Sequence, residues 1–165
     1  MAALPAGAKA PDFELRAMDG RRFVLRDELA HGPLVLAFFK VSCPTCQYAF
    51  PFLERLERAY GHQGVRIIGV SQNEPKETAA FTKEFGITFP VLLDDTHKYP
   101  VSNAYGLTNV PTIFWIAGDA EIELSSVGWV KADFAEINRR MAESGKTAPA
   151  AVFQPGEDVR DFRAG

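Results

Sequence analysis

The segment PLVLAFFK, residues 33–40, is apolar at every position from Leu34 to Phe39. A strand with one face in water alternates apolar and polar side chains, so an unbroken apolar run must be covered on both faces. The run is far too short to cross a bilayer as a helix. A second segment, GVRIIGVS at 64–71, has the same character. Two doubly covered strands call for a sheet with helices on both sides, and that places the chain in the α/β class.

The remaining periodicities fit this frame. Residues 44–60 turn helical directly after the first apolar run, with Ala49, Phe52, Leu53, Leu56 and Tyr60 on one stripe. Pro51 falls inside that helix and should kink it, because proline supplies no N–H. Residues 74–86 form a second helix, with proline near its start and glycine at its end. Residues 89–95 make a short strand and 99–106 a short helix. Residues 112–117 and 121–129 pair antiparallel across Gly118-Asp119. Residues 131–144 are the last long helix, with Phe134, Ile137 and Met141 on one face. Near the start, Ala2–Pro11 is an irregular arm. Phe13 and Leu15, the Asp19-Gly20 turn and Phe23–Leu25 then predict a β-hairpin. The order βαβ, βα, ββα gives a three-layer domain over 1–144, followed by an extended C-terminal tail over 145–165.

The chain's 165 residues suit one domain with a sizeable core. A net charge of −3 argues against a nucleic-acid partner, which needs a basic face. No segment reads as a membrane span, and the N-terminus lacks the pattern of a secretory leader, so a cytoplasmic protein is expected.

The chemistry concentrates at Cys43 and Cys46, the only cysteines in the chain. They lie where the buried strand meets the helix. Cys43 falls at the helix start with Pro44 in the favoured first position. There the free N–H groups and the positive end of the helix dipole favour a thiolate. Cys46 follows one turn later on the same side. This geometry lets Cys43 attack a substrate disulfide and Cys46 resolve the mixed disulfide. Other readings compete. A zinc site needs about four ligands, and the further soft candidates, His31, His62 and His97, stand singly. A structural disulfide would close only a tiny loop and gain little entropy. Two idle thiols would simply fill core volume.

The stretches APDFEL (10–15), VLAFFKVSCPTCQYAFPFLERL (35–56) and YGLTNVPTIFWI (105–116) resemble the thioredoxin superfamily. The nearest branch is that of the TlpA/ResA-like thiol-disulfide oxidoreductases, grouped with the AhpC/TSA proteins. The likeness runs from about Ala10 to Ser144 and omits the tail. It implies a thioredoxin fold with an N-terminal β-hairpin and a central βα insertion, here Gly86–Gly106. It also implies that Val110-Pro111-Thr112 sets a cis proline against the cysteines, with Val110 and Pro111 shaping the substrate groove. Pro51 matches the family's helix-kinking proline.

Three positions depart from the family pattern. Ser42 replaces a tryptophan before the first cysteine, Ala37 stands where thioredoxins bury an aspartate, and Ala49 stands where many ResA-like proteins have a glutamate. No acid or base for Cys46 is therefore evident, and Lys40 is read as a solvated strand-end residue. Trp115 and Trp129 are read as core.

The expected function is thiol–disulfide exchange through Cys43 and Cys46 with protein or small-molecule disulfide or thiol substrates, supported by an unidentified reductant or oxidant. No metal, nucleotide or flavin cofactor is expected, since no glycine-rich phosphate loop is present. A peroxiredoxin-like peroxidase and a redox-sensing binding module are the alternatives. Peroxide is a poor candidate for the main substrate. The residue three before Cys43 is Lys40 rather than a hydroxyl donor, and residues 107–117 contain no arginine.

Overall fold

The computed structural model describes residues 3–61 and 63–165; of the residues considered above, Ala2 and His62 lie outside them. The doubly apolar segments become β3 (Leu34–Phe39) and β4 (Arg66–Ser71), which pair in parallel from Leu34↔Arg66 to Phe39↔Ser71. β5 (Val91–Leu93) extends the parallel set beside β4. β6 (Thr112–Ile116) runs antiparallel to the other edge of β3, and β7 (Ile122–Val127) returns beside it. The hairpin of β1 (Glu14–Ala17) and β2 (Arg22–Val24) turns at the expected place and joins the sheet through β5. The seven-stranded order is β2-β1-β5-β4-β3-β6-β7.

Alternation along β3 divides the core. Val35, Ala37 and Phe39 face one layer, with α2 (Pro44–Tyr60), Phe81 of α3 (Pro75–Glu84) and α5 (Lys131–Ser144). Leu34, Leu36 and Phe38 face the other, with Leu25 and Leu29 of α1 (Leu25–Leu29) and Val101 of α4 (Pro100–Ala104). Successive strand residues point to opposite faces, so an all-apolar strand serves two cores at once. The three-layer architecture is as read from the sequence. The helix α1 was not expected: the chain leaves β2 at Val24, and its Leu25 and Leu29, one helical turn apart, reach the second core. Trp115 and Trp129 are core residues, 3% and 1% exposed.

The tail carries little regular structure, yet it is docked rather than free. It retraces α2 from the helix's end to its beginning. The Ala150 N–H donates to Tyr60 Oη at 2.6 Å. Arg55 donates to the Val152 carbonyl at 2.8 Å and forms a two-pronged ion pair with Glu157 at 2.7 and 2.8 Å. That guanidinium holds the Glu157 carboxyl at about 2, well below its ordinary value. The Arg160 N–H donates to Tyr48 Oη at 3.0 Å. Val152 and Val159 enter the core. The two-residue strands β8 (Trp129–Val130) and β9 (Phe162–Arg163) then pair antiparallel.

Candidate active site

β3 ends at Phe39, and a four-residue loop leads to α2. The loop is pinned at Val41, whose N–H donates to Asn73 Oδ1 at 2.9 Å and whose carbonyl accepts from Gln47 Nε2 at 2.9 Å. The Cys43 N–H closes the turn onto the Lys40 carbonyl at 3.2 Å. This fixes Cys43 as the N-cap of α2, with extended backbone, and Pro44 opens the helix. An N-cap side chain accepts from the unpaired N–H groups of the first turn. Here the acceptor is sulfur: the Cys46 N–H donates to Cys43 Sγ at 3.2 Å.

The two cysteines, both free thiols, have different surroundings. Cys43 is half-buried, and its thiol donates to the Val110 carbonyl at 3.3 Å. Cys46 has no exposed surface. Burial pushes the Cys46 thiol well above its ordinary value, and its hydrogen bond with Cys43 raises it further. Interactions with the backbone and charge of Lys40 oppose this. The carboxylate positions absent from the sequence stay apolar in space, since Ala37 and Ala49 are both fully buried. Glu54, the buried carboxylate of α2, is engaged elsewhere, by the N–H and hydroxyl of Thr88 at 2.7 and 2.6 Å. Lys40 is exposed, as read from the sequence.

The loop before β6 completes the site. The Val110–Pro111 bond is cis. Thr112 Oγ1 donates to the Asn109 carbonyl at 2.7 Å and the Gly128 N–H donates to the Pro111 carbonyl at 2.8 Å, so both flanks are fastened. The structure thus brings Cys43, Cys46, Val110 and Pro111 together from segments that the chain separates widely. Beside them lies a polar recess of about 210 Å³, lined by Lys40, Gln72, Tyr99, Ser102 and residues 107–110 among others.

The AhpC/TSA family pattern matches residues 6–125. The chain belongs to the AhpC/TSA family. As a member, it is 35% identical over 122 residues to the thiol-disulfide oxidoreductase ResA of Geobacillus thermodenitrificans, spanning 73% of this chain and 68% of that protein. It is 36% identical over 118 residues to ResA of Halalkalibacterium halodurans, 71% and 65% of the two chains. Its fold matches that of a thiol:disulfide interchange protein, a thioredoxin family protein, from Chlorobium tepidum TLS. The TM-score is 0.69 at 23% identity, over 88% of this chain and 99% of that one. The fold is therefore the thioredoxin fold. Family, relatives and the Cys-Pro-Thr-Cys pair together make this AhpC/TSA member a thiol-disulfide oxidoreductase.

Three contacts at the site were not anticipated from the sequence. Thr45, between the cysteines, is buried and donates through Oγ1 to the Ala164 carbonyl at 2.6 Å. Asn109 donates through Nδ2 to the Gly165 carbonyl at 3.3 Å. The tail itself ends its course at the dithiol. No periodic pattern marks these residues, because their partners are fixed only when the tail lies along α2.

Proposed function

We propose that this oxidoreductase works through Cys43 as nucleophile and Cys46 as resolving thiol, with Val110 and Pro111 forming the wall against which the substrate disulfide is presented. What carries the reading is the asymmetry of the pair: Cys43 is reachable and faces the helix N–H groups, whereas Cys46 is enclosed and held protonated. The Cys43 sulfur, as thiolate, attacks one sulfur of the substrate disulfide. That S–S bond breaks, a mixed disulfide forms and the first substrate thiolate leaves. Cys46 gives up its proton to a departing thiolate and attacks Cys43 Sγ. The mixed disulfide breaks, the second substrate thiolate leaves and takes a proton from solvent, and the Cys43–Cys46 disulfide closes. Two electrons and two protons pass to the substrate; an external dithiol reductant restores the pair, and with a stronger oxidant the sequence runs backwards.

Among the described residues the groups acting on Cys46 are Cys43 and Lys40, neither a carboxylate, and the leaving thiolate is the proton acceptor in this scheme. The setting is a cytoplasmic one, where a dithiol donor is at hand. The test uses single-cysteine variants and insulin. Cys46→Ser should accumulate a mixed disulfide through Cys43, and Cys43→Ser should neither reduce insulin nor trap it. Trapping through Cys46 in Cys43→Ser, at a yield comparable with that of the other variant, would reverse the roles.

A further inference from the structure

The tail places its last described residues on the reacting sulfur's own neighbour. The Cys43 thiol touches the Val110 carbonyl at 3.3 Å. Gly165 lies against that same oxygen, so close that a Cβ at position 165 would collide with it. Several contacts hold the segment there. The buried Thr45 hydroxyl donates to the Ala164 carbonyl at 2.6 Å, and Asn109 reaches the Gly165 carbonyl at 3.3 Å. β9 pairs with β8, and the Arg163 guanidinium sits 4.8 Å above the Tyr48 ring. Next to Arg163, Gly128 has φ +76°, and a Cβ there would meet the Arg163 carbonyl at 2.5 Å. The backbones at 128 and 163 thus approach in a way only glycine permits.

We propose that residues 162–165 are a specificity strap. They lie where the backbone of an extended disulfide-bearing polypeptide must lie to bring its sulfur to Cys43, and so disfavour protein disulfides while leaving small disulfides an approach. This rests on Cys43 being the nucleophile. A protein substrate brings chain on both sides of its cysteine, and that chain needs room along the Val110 loop. Strap and substrate chain cannot both touch the Val110 carbonyl. A small disulfide needs only line-of-sight to the half-buried Cys43 sulfur. The polar recess that borders the Cys43 loop at Lys40 and Val110 has no strap residue in its lining.

The contacts are few, so the strap is a partial gate. The two side-chain hydrogen bonds that hold Ala164 and Gly165, the second of them long, together correspond to a closed state favoured about tenfold. Apparent affinity for an occupant of the same place falls by the fraction of molecules that are open, hence also about tenfold.

The experiment compares the full chain with two variants: deletion of Ala164 and Gly165, which spares the β8–β9 pair, and Gly165→Leu, which adds a side chain where none fits. Each protein is reduced, freed of other thiols, and mixed with insulin or with hydroxyethyl disulfide. The rate of dithiol loss is followed. Both variants should oxidise about tenfold faster with insulin and change less than about twofold with hydroxyethyl disulfide. If insulin and hydroxyethyl disulfide rates both stay unchanged, the strap is not a gate, although the roles of the cysteines stand. If both rates fall, the segment assists the reaction and the inference is wrong. If no protein, including the full chain, is oxidised by either disulfide, the nucleophile assignment fails and the strap's role falls with it.

Discussion

Limiting iodoacetamide at pH 7 should label Cys43 and spare Cys46. The reagent reacts with thiolate, and an ordinary cysteine at this pH presents only a few per cent of it. Each unit by which a thiol is raised removes a further factor of ten. Cys46 is raised well above the ordinary range, chiefly because burial denies its charged form solvation. A rise of only two units would slow it about a hundredfold. Its sulfur also has no exposed surface, so the reagent must wait for an opening of α2. Cys43, half-buried and at the helix edge, needs no such opening. The labelling ratio should therefore be at least about a hundred. Trypsin releases both cysteines in the one fragment Val41–Arg55, so fragment-ion mapping of that peptide reads the ratio directly. In Cys43→Ser the residual rate at Cys46 is obtained in isolation. Labelling of Cys46 at a rate equal to or above that of Cys43 would refute the argument from burial.

The same burial has a consequence for stability. The unfolded Cys46 thiol ionises near its ordinary value of 9.0, whereas the folded one stays protonated beyond it. The contribution of this group is intact below pH 9 and declines as pH rises past it, by about 1.4 kcal/mol per pH unit. Urea unfolding of the reduced protein between about pH 8 and about pH 10.5 should thus fall more steeply than that of Cys46→Ala, and parallel slopes would contradict this. At the far end of α2, Tyr60 Oη donates to Asn138 Oδ1 at 2.5 Å and accepts the Ala150 N–H at 2.6 Å. Tyr60→Phe leaves both partners without it and should lower unfolding free energy by about 2–3 kcal/mol; a loss below about 0.5 kcal/mol would mean that water replaces the hydroxyl at no penalty.

Much of the fold was legible because the longer strands and helices announce their own burial, whereas the five-residue α1 does not. Leu34–Phe39 could not be anything but a doubly covered strand, and Ala49, Phe52, Leu53, Leu56 and Tyr60 fix which face of α2 turns inward. These are local properties, set by periods of two and 3.6 residues. The dithiol was legible for the same reason, since a helix start, a proline and two cysteines one turn apart sit within a single short stretch. What the sequence could not convey is which distant groups meet there. The Val110 carbonyl reaches Cys43 only because β6 lies beside β3. The tail has no period to read. Its course is decided by single contacts, namely Tyr60 with Ala150, Arg55 with Glu157, Tyr48 with Arg160 and Thr45 with Ala164. Each of these joins groups about a hundred residues apart, and each exists only once α2 is packed and its outer side offers a track. Local chemistry singled out the two cysteines; tertiary structure alone decided which distant groups lie beside them.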